Sequence, residues 1–208
     1  MKTETEFRYP NRMGRMLLQA IEEILGTPGM LAVLNLAGQE EFFDHLPADD
    51  LELQVPFSHI SGLQVALENL YGASAGRGVA TRVGRASFTY LLRAFRSELG
   101  LMNLAFRMLP MPARILRVCE ALAELFNTHT DQRVTLEHDK VNIYWQIDRC
   151  PYCWSRQAQE PVCSLAVGLL QEALHWACSG RNFNVEETSC LAAGDGKCTI
   201  VITQSPLS

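Results

Sequence analysis

The sequence lacks most of the features by which common function classes show themselves. Its 208 residues carry 18 Lys and Arg against 23 Asp and Glu. No basic stripe is present, and the net charge of −5 argues against general nucleic-acid binding. The basic residues are scattered through apolar helical stretches such as RASFTYLLRAFRSELG. The opening MKTETEFRYPNR has no apolar core of a secretory signal. The most apolar region, LGLMNLAFRMLPMPARIL, is broken by arginines and two prolines, so no membrane span is expected. A cytoplasmic protein is the expectation. There is no internal repeat, no low-complexity tract and no Pro/Gly/Ser-rich linker. HExxH does not occur, and His45, His59, His129, His138 and His175 form no short-range ligand pair. No dinucleotide fingerprint follows a strand. The glycine-rich YGASAGRGVATRVG lacks the Lys-Ser/Thr ending of a phosphate loop and reads as a turn with close helix packing.

What remains is ordinary in bulk and specific in detail. At 48% hydrophobic and 20% charged, the chain has the composition of a globular domain with one sizeable core. The first half is helical by period. NRMGRMLLQAIEEILG places Met13, Leu17, Ala20, Ile21 and Leu25 at helical spacing, and Gly26 is expected to stop it. SHISGLQVALENLYG opens on a capping-type Ser58 and ends at Gly72, a third helix runs to Gly100, and a shorter one reaches Pro110. Pro112 then starts a long amphipathic segment. After residue 130 the period changes to two. In QRVTLEHDKVNIYWQID, Val134 and Leu136 are matched by Val141, Ile143, Trp145 and Ile147 about the turn HDK, a β-hairpin pattern. A helix over 161–180 follows, then two strands about Gly-Asp-Gly. The pattern predicts an α+β fold, with a helical N-terminal half packed on an antiparallel sheet built as hairpin, helix, hairpin. Residues 1–75 are expected to be a helical extension without chemistry of their own, and 76–208 the functional domain.

Chemistry concentrates in the cysteines. Seven cysteines in a reducing compartment, an odd number, point away from a disulfide framework and towards metal ligation. In EETSCLAAGDGKC, a hairpin symmetrical about Gly194 would set Cys190 opposite Cys198, Cβ atoms about 4.5–5.5 Å apart, close enough to share a zinc ion. Glu187 lies three residues before Cys190, on the other face of a regular strand, so a bulge is required for it to join them. Cys163, in the first turn of its helix, is a candidate for a further ligand, since the helix dipole favours its thiolate. The CPYC element offers Cys150 and Cys153 as alternative ligands or as a redox pair. The thiols also read as small buried core residues. For a ligand pocket between helices and sheet, Trp145 and Ile143 on the hairpin and Cys119, Leu122 and Phe126 on the amphipathic helix are the candidates. Phe88, Phe95 and Phe106 lie on preceding helices.

The stretch PVCSLAVGLLQEALHWACSGRNFNVEETSCLAAGDGKCTIVI resembles the 4-vinyl reductase domain family over residues 161–202. Its helix start at Pro-Val-Cys, then Val-Glu-Glu, Cys, Gly-Asp, Cys and a final apolar strand, are the matching features. The resemblance implies a fold related to haem–nitric-oxide-binding sensors and to vesicle-tethering subunits. It also implies a cavity for small hydrophobic or aromatic molecules. In aromatic-sensing members a structural zinc is held by Cys, Glu, Cys and Cys at a spacing that falls on Cys163, Glu187, Cys190 and Cys198. Those members are activators with AAA+ ATPase and DNA-binding segments. None is present here, so the expectation is a stand-alone, homodimeric ligand-binding or sensing protein rather than an enzyme. Other members are linked to bacteriochlorophyll synthesis, which makes an accessory factor or reductase acting on a vinyl-bearing tetrapyrrole the rival reading.

Overall fold

The computed structural model describes residues 6–207. A short strand, β1 (Arg8–Pro10), leads into a long helix, α1 (Asn11–Ala37). Two helical segments meet at a kink at Gly26, the expected stop. Its φ of 70° and ψ of 167° leave the helical path, and Pro28 follows in the first turn beyond, where a missing N–H costs little. By length and composition alone, α1 could cross a membrane, the one such helix among the described residues. Its apolar stripe, including Met13, Leu17, Ala20 and Ile21, is instead buried in the core. β2 (Leu53–Pro56) pairs antiparallel with β1, a small ribbon that the sequence period does not reveal.

Four helices follow before the amphipathic one. α2 (Phe57–Tyr71) starts after Pro56, so Ser58 is not its cap; the Ser58 hydroxyl donates instead to Glu6 at 2.7 Å. Gly72, with φ of 82°, turns the chain, and α3 (Ala73–Ala94) takes up the glycine-rich stretch beyond it. α4 (Arg96–Leu99) and α5 (Leu104–Met108) are single turns, the latter capped by Asn103, which accepts from the Phe106 N–H at 2.7 Å. α6 (Met111–His129) carries Pro112 in its first turn, as expected.

The sheet is four-stranded and antiparallel. β3 (Arg133–His138), β4 (Asn142–Arg149), β5 (Phe183–Ser189) and β6 (Cys198–Pro206) lie in the order β3-β4-β6-β5. α7 (Ser164–Ala177) connects the two halves. Ile143, Trp145 and Ile147 on β4 pair with Ile202, Ile200 and Cys198 on β6, and this row is buried. Val141, expected in the alternation, is 58% exposed in the turn. There Asp139 accepts from the Asn142 and Val141 N–H groups, which hold its carboxyl below the ordinary range. α6 and α7 contact the sheet, and α1 and α2 pack against α3, which in turn lies along α7. The α3–α7 crossing is a backbone contact made possible by glycine. A Cβ at Gly84 would stand 2.1 Å from the Leu165 oxygen, and one at Gly168 would stand 2.0 Å from the Thr81 oxygen. The fold is therefore α+β, with one continuous core from Tyr9 to Ile202.

Candidate metal centre and adjoining cavity

The segment before α7 belongs to no helix or strand, so its buried backbone groups need other partners. A buried glutamine on α2 does so: Gln64 Nε2 donates to the Val162 carbonyl, and its Oε1 accepts from the Leu165 N–H at 3.1 Å. This clamps Cys163 at the N-cap of α7. The Cys163 N–H donates to Glu187 Oε2 at 2.6 Å, which joins the helix start to β5. The symmetrical hairpin expected about Gly194 does not form. Ser189 pairs with Thr199, Cys198 faces Ile147 of β4, and Cys190 lies beyond the end of β5 at the start of a 3-10 turn, Leu191–Ala193. Gly194, with φ of 94°, then reverses the chain. The β5–β6 register shifts between Glu187 and Ser189. This is the irregularity that allows Glu187 and Cys190 to face one point despite their odd spacing.

Three sulfurs meet there. The Cys163–Cys190, Cys163–Cys198 and Cys190–Cys198 Sγ distances are each 3.8 Å. A tetrahedral zinc thiolate with Zn–S of ~2.3 Å has sulfur–sulfur edges of about 3.8 Å. Glu187 completes the set, with all four ligand atoms within 4.8 Å of one another. Its Oε1 is buried and has no hydrogen-bond partner. Burial pushes the carboxyl up to about 8, against the opposing hydrogen bond from Cys163. A buried carboxylate with one orphaned oxygen is costly unless a cation meets it. Backbone groups support the thiols: the Leu191 N–H points at Cys198 Sγ at 3.3 Å, and Asp195 accepts from the Cys190 N–H at 2.7 Å. The CPYC element folds as a 3-10 turn, Pro151–Cys153, and joins the same cluster. Cys150 Sγ is 3.5 Å from Cys163, and Cys153 Sγ is 3.4 Å from Cys198. Cys150, Cys153, Cys163 and Cys198 thus form a second set of four, also within 4.8 Å. This clustered arrangement can hold a metal ion.

Tyr152, inside the CPYC turn, also belongs to the wall of a cavity of about 40 Å³. Met13, Met16 and Leu17 of α1, Leu91 of α3 and Leu165 and Leu169 of α7 make the rest of that wall mostly apolar. One end is polar. The Tyr9 hydroxyl donates to Gln132 and lies 3.5 Å from that of Tyr152. Burial raises both phenols well above their ordinary range, so both stay protonated donors. Of the residues expected to line a pocket, Phe126 is in this wall. Trp145, Ile143, Leu122 and Cys119 are buried outside it, with the Trp145 ring edge-on to Phe126 at 6.3 Å. Burial pushes the Cys119 thiol up to about 12, which makes it an inert core group. Phe88 and Phe106 pack on Trp176, and Phe95 on His129. The expected pocket overlooked Tyr9, Met13, Met16 and Ile60, all from the segment read as an extension. Tyr152 carried a signal, since it sits between two clustered thiols.

A family model for the 4-vinyl reductase domain matches residues 143–204, the span from β4 to β6 that contains the whole thiol cluster. No curated protein matches the chain. Among solved structures, an H-NOX protein from S. oneidensis in the Fe(II)NO ligation state matches with a TM-score of 0.57 at 12% identity, over 93% of this chain and 99% of that one. A point mutant of the T. tengcongensis H-NOX protein matches with a TM-score of 0.60 at 12% identity, over 96% and 100%. An oxygen-binding H-NOX domain related to soluble guanylate cyclases gives 0.55 at 13%, over 93% and 94%. At these identities the likeness is one of fold. The walls of this cavity do not fit a haem. Among the described residues no histidine or cysteine lines it, its two phenols are hydrogen-bonded, and about 40 Å³ is a small fraction of an ordinary ligand pocket.

Proposed function

On the premise that the chain carries a 4-vinyl reductase domain on an H-NOX-like fold, we propose that it binds a small apolar or aromatic molecule between α1, α3 and α7. In this reading a structural zinc at Cys163, Glu187, Cys190 and Cys198 braces the cavity wall. The observation that carries the proposal is the shared wall: Tyr152 and Leu165 line the cavity, and each lies within two residues of a clustered thiol. A zinc closed by four protein ligands has no open position, so its role is to hold the wall and not to react. The cavity is small when closed, and Met13 and Met16 are the flexible side chains that can yield to a guest. A benzene-sized ligand burying roughly 150 Å² gains about 4 kcal/mol at ~25 cal/mol per Å², which corresponds to a Kd on the order of 1 mM. The Tyr9 and Tyr152 hydroxyls add selectivity for a ligand with one polar group. A tetrapyrrole needs far more space than these walls enclose, which weighs against the vinyl-reducing reading. The homodimer is part of the proposal: Leu104 and Met108, one turn apart on α5 and 72% and 77% exposed, offer an apolar contact.

The test is ligand-observed NMR with toluene and phenol on the zinc-loaded chain. Binding of both is expected, and Leu169→Trp, which fills the cavity, should abolish it with zinc content unchanged. Binding that survives the filling substitution would place the ligand elsewhere and overturn the reading.

A further inference from the structure

Assigning the first ion to Cys163, Glu187, Cys190 and Cys198 leaves the CPYC thiols unexplained. Cys150 and Cys153 are 0% and 3% exposed, and their sulfurs lie 3.5 and 3.4 Å from two sulfurs already committed to that ion. Two buried cysteines that served only as small apolar fillers would not need to converge on other sulfurs. Together with Cys163 and Cys198 they make a full four-donor set of their own. The two sets share one edge, the 3.8 Å Cys163–Cys198 pair.

We propose that the Cys150–Cys153 turn is a second metal-binding arm, so that the cluster holds two zinc-type ions bridged by the sulfurs of Cys163 and Cys198. The proposal rests on the first-ion reading above. Electrostatics favours it. A single ion with three thiolates and a carboxylate leaves a buried double negative charge. Two further thiolates and a second dication enter without adding to that charge, because a coordinating thiol gives up its proton to solvent as the metal binds. Access is present as well. A surface cleft of about 310 Å³ adjoins the Cys150–Cys153 turn, with Asp148 in its lining. The arm is also positioned by bonds other than those to metal. One face of α2 holds it: the Ser61 hydroxyl donates to the Trp154 carbonyl at 2.9 Å, and Glu68 pairs with Arg156 at 2.8 Å. Because Tyr152 sits between the two new ligands and lines the cavity, loading the second ion fixes a residue of the ligand site.

The experiment counts metal on the full chain. The protein is saturated with zinc, desalted and measured by elemental analysis and native mass spectrometry. Two ions per chain are expected for the natural sequence. One is expected for the double variant Cys150→Ser/Cys153→Ser, and one for Glu187→Gln/Cys190→Ser. A single ion in the natural sequence that survives Cys150→Ser/Cys153→Ser overturns the second site and leaves the first standing. A single ion lost from that variant but kept in Glu187→Gln/Cys190→Ser overturns both assignments in favour of one four-cysteine site. No ion at all sinks both. Should the variants fail to fold, cobalt titration of the natural chain decides. Sulfur-to-cobalt charge-transfer absorbance should keep rising through a second equivalent, and a plateau after one equivalent overturns the proposal.

Discussion

Gly168→Ala tests whether the α3–α7 backbone contact holds the site together. The new Cβ would stand 2.0 Å from the Thr81 oxygen, 2.8 Å from its carbonyl carbon and 3.0 Å from its Cα. These are backbone atoms of a helix and cannot swing aside. Restoring ordinary contact requires the helices to part locally by about 1.4 Å, since non-bonded atoms settle near 3.4 Å or beyond. Overpacking of this kind costs about 1–3 kcal/mol, with backbone clashes at the upper end. Replacing glycine inside a helix returns ~0.8–1.0 kcal/mol of propensity. The net is a loss of about 2 kcal/mol, or roughly 4–8 °C in Tm for a chain of this size. Gly78→Ala is the matched control. It is an exposed α3 position where an added Cβ meets nothing within 4 Å, and it should gain about 0.4–1 kcal/mol. Urea unfolding followed by circular dichroism reads both. The reasoning fails if Gly168→Ala is as stable as Gly78→Ala, because the clash would then have been absorbed without cost.

Three other outcomes follow from the same structure. Gln64→Leu leaves the Val162 carbonyl and the Leu165 N–H without partners, so it should cost about 2–4 kcal/mol in urea unfolding and weaken zinc retention against a chelator. In the zinc-loaded chain at pH 8, iodoacetamide should leave the cluster thiols unmodified. Chelation should expose them to alkylation while Cys119 stays unlabelled, as peptide mass mapping would show. Cys119 also sets an alkaline limit. Its folded value of about 12 lies above the ordinary 9.0, so its contribution is whole below pH 9 and is lost as pH rises towards 12. The urea midpoint of Cys119→Ala should fall less steeply over that range.

The parts legible in the sequence were those governed by short-range period. The helices of the N-terminal half, the β3–β4 hairpin and the helix between the two strand pairs follow from spacing, because each buries one face. Gly26 was legible as a break, but not that a second helical segment, with Pro28 in its first turn, would start directly beyond it. β1 and β2 are too short to alternate, and their pairing joins residues 8 and 56. Of the cluster, spacing brought out Cys190 and Cys198, but for a hairpin geometry that the chain does not adopt. Their sulfurs meet because a 3-10 turn, not a ladder, precedes Gly194. The cavity was the least legible. Tyr9 meets Gln132 across 123 positions, and Gln64 reaches Val162 across 98. No local pattern encodes such meetings. Beside Tyr152, a polar Gln64 on the buried face of α2 was a further signal, because a buried amide needs partners.

The most direct measurement is anomalous diffraction from crystals of the zinc-loaded chain soaked in bromobenzene. It locates the metal and the apolar guest in one map. The account predicts zinc density among the sulfurs of Cys163, Cys190 and Cys198, and a bromine peak enclosed by Met13, Leu91 and Leu169. A bromine peak confined to the surface, or no metal among the sulfurs, would contradict it.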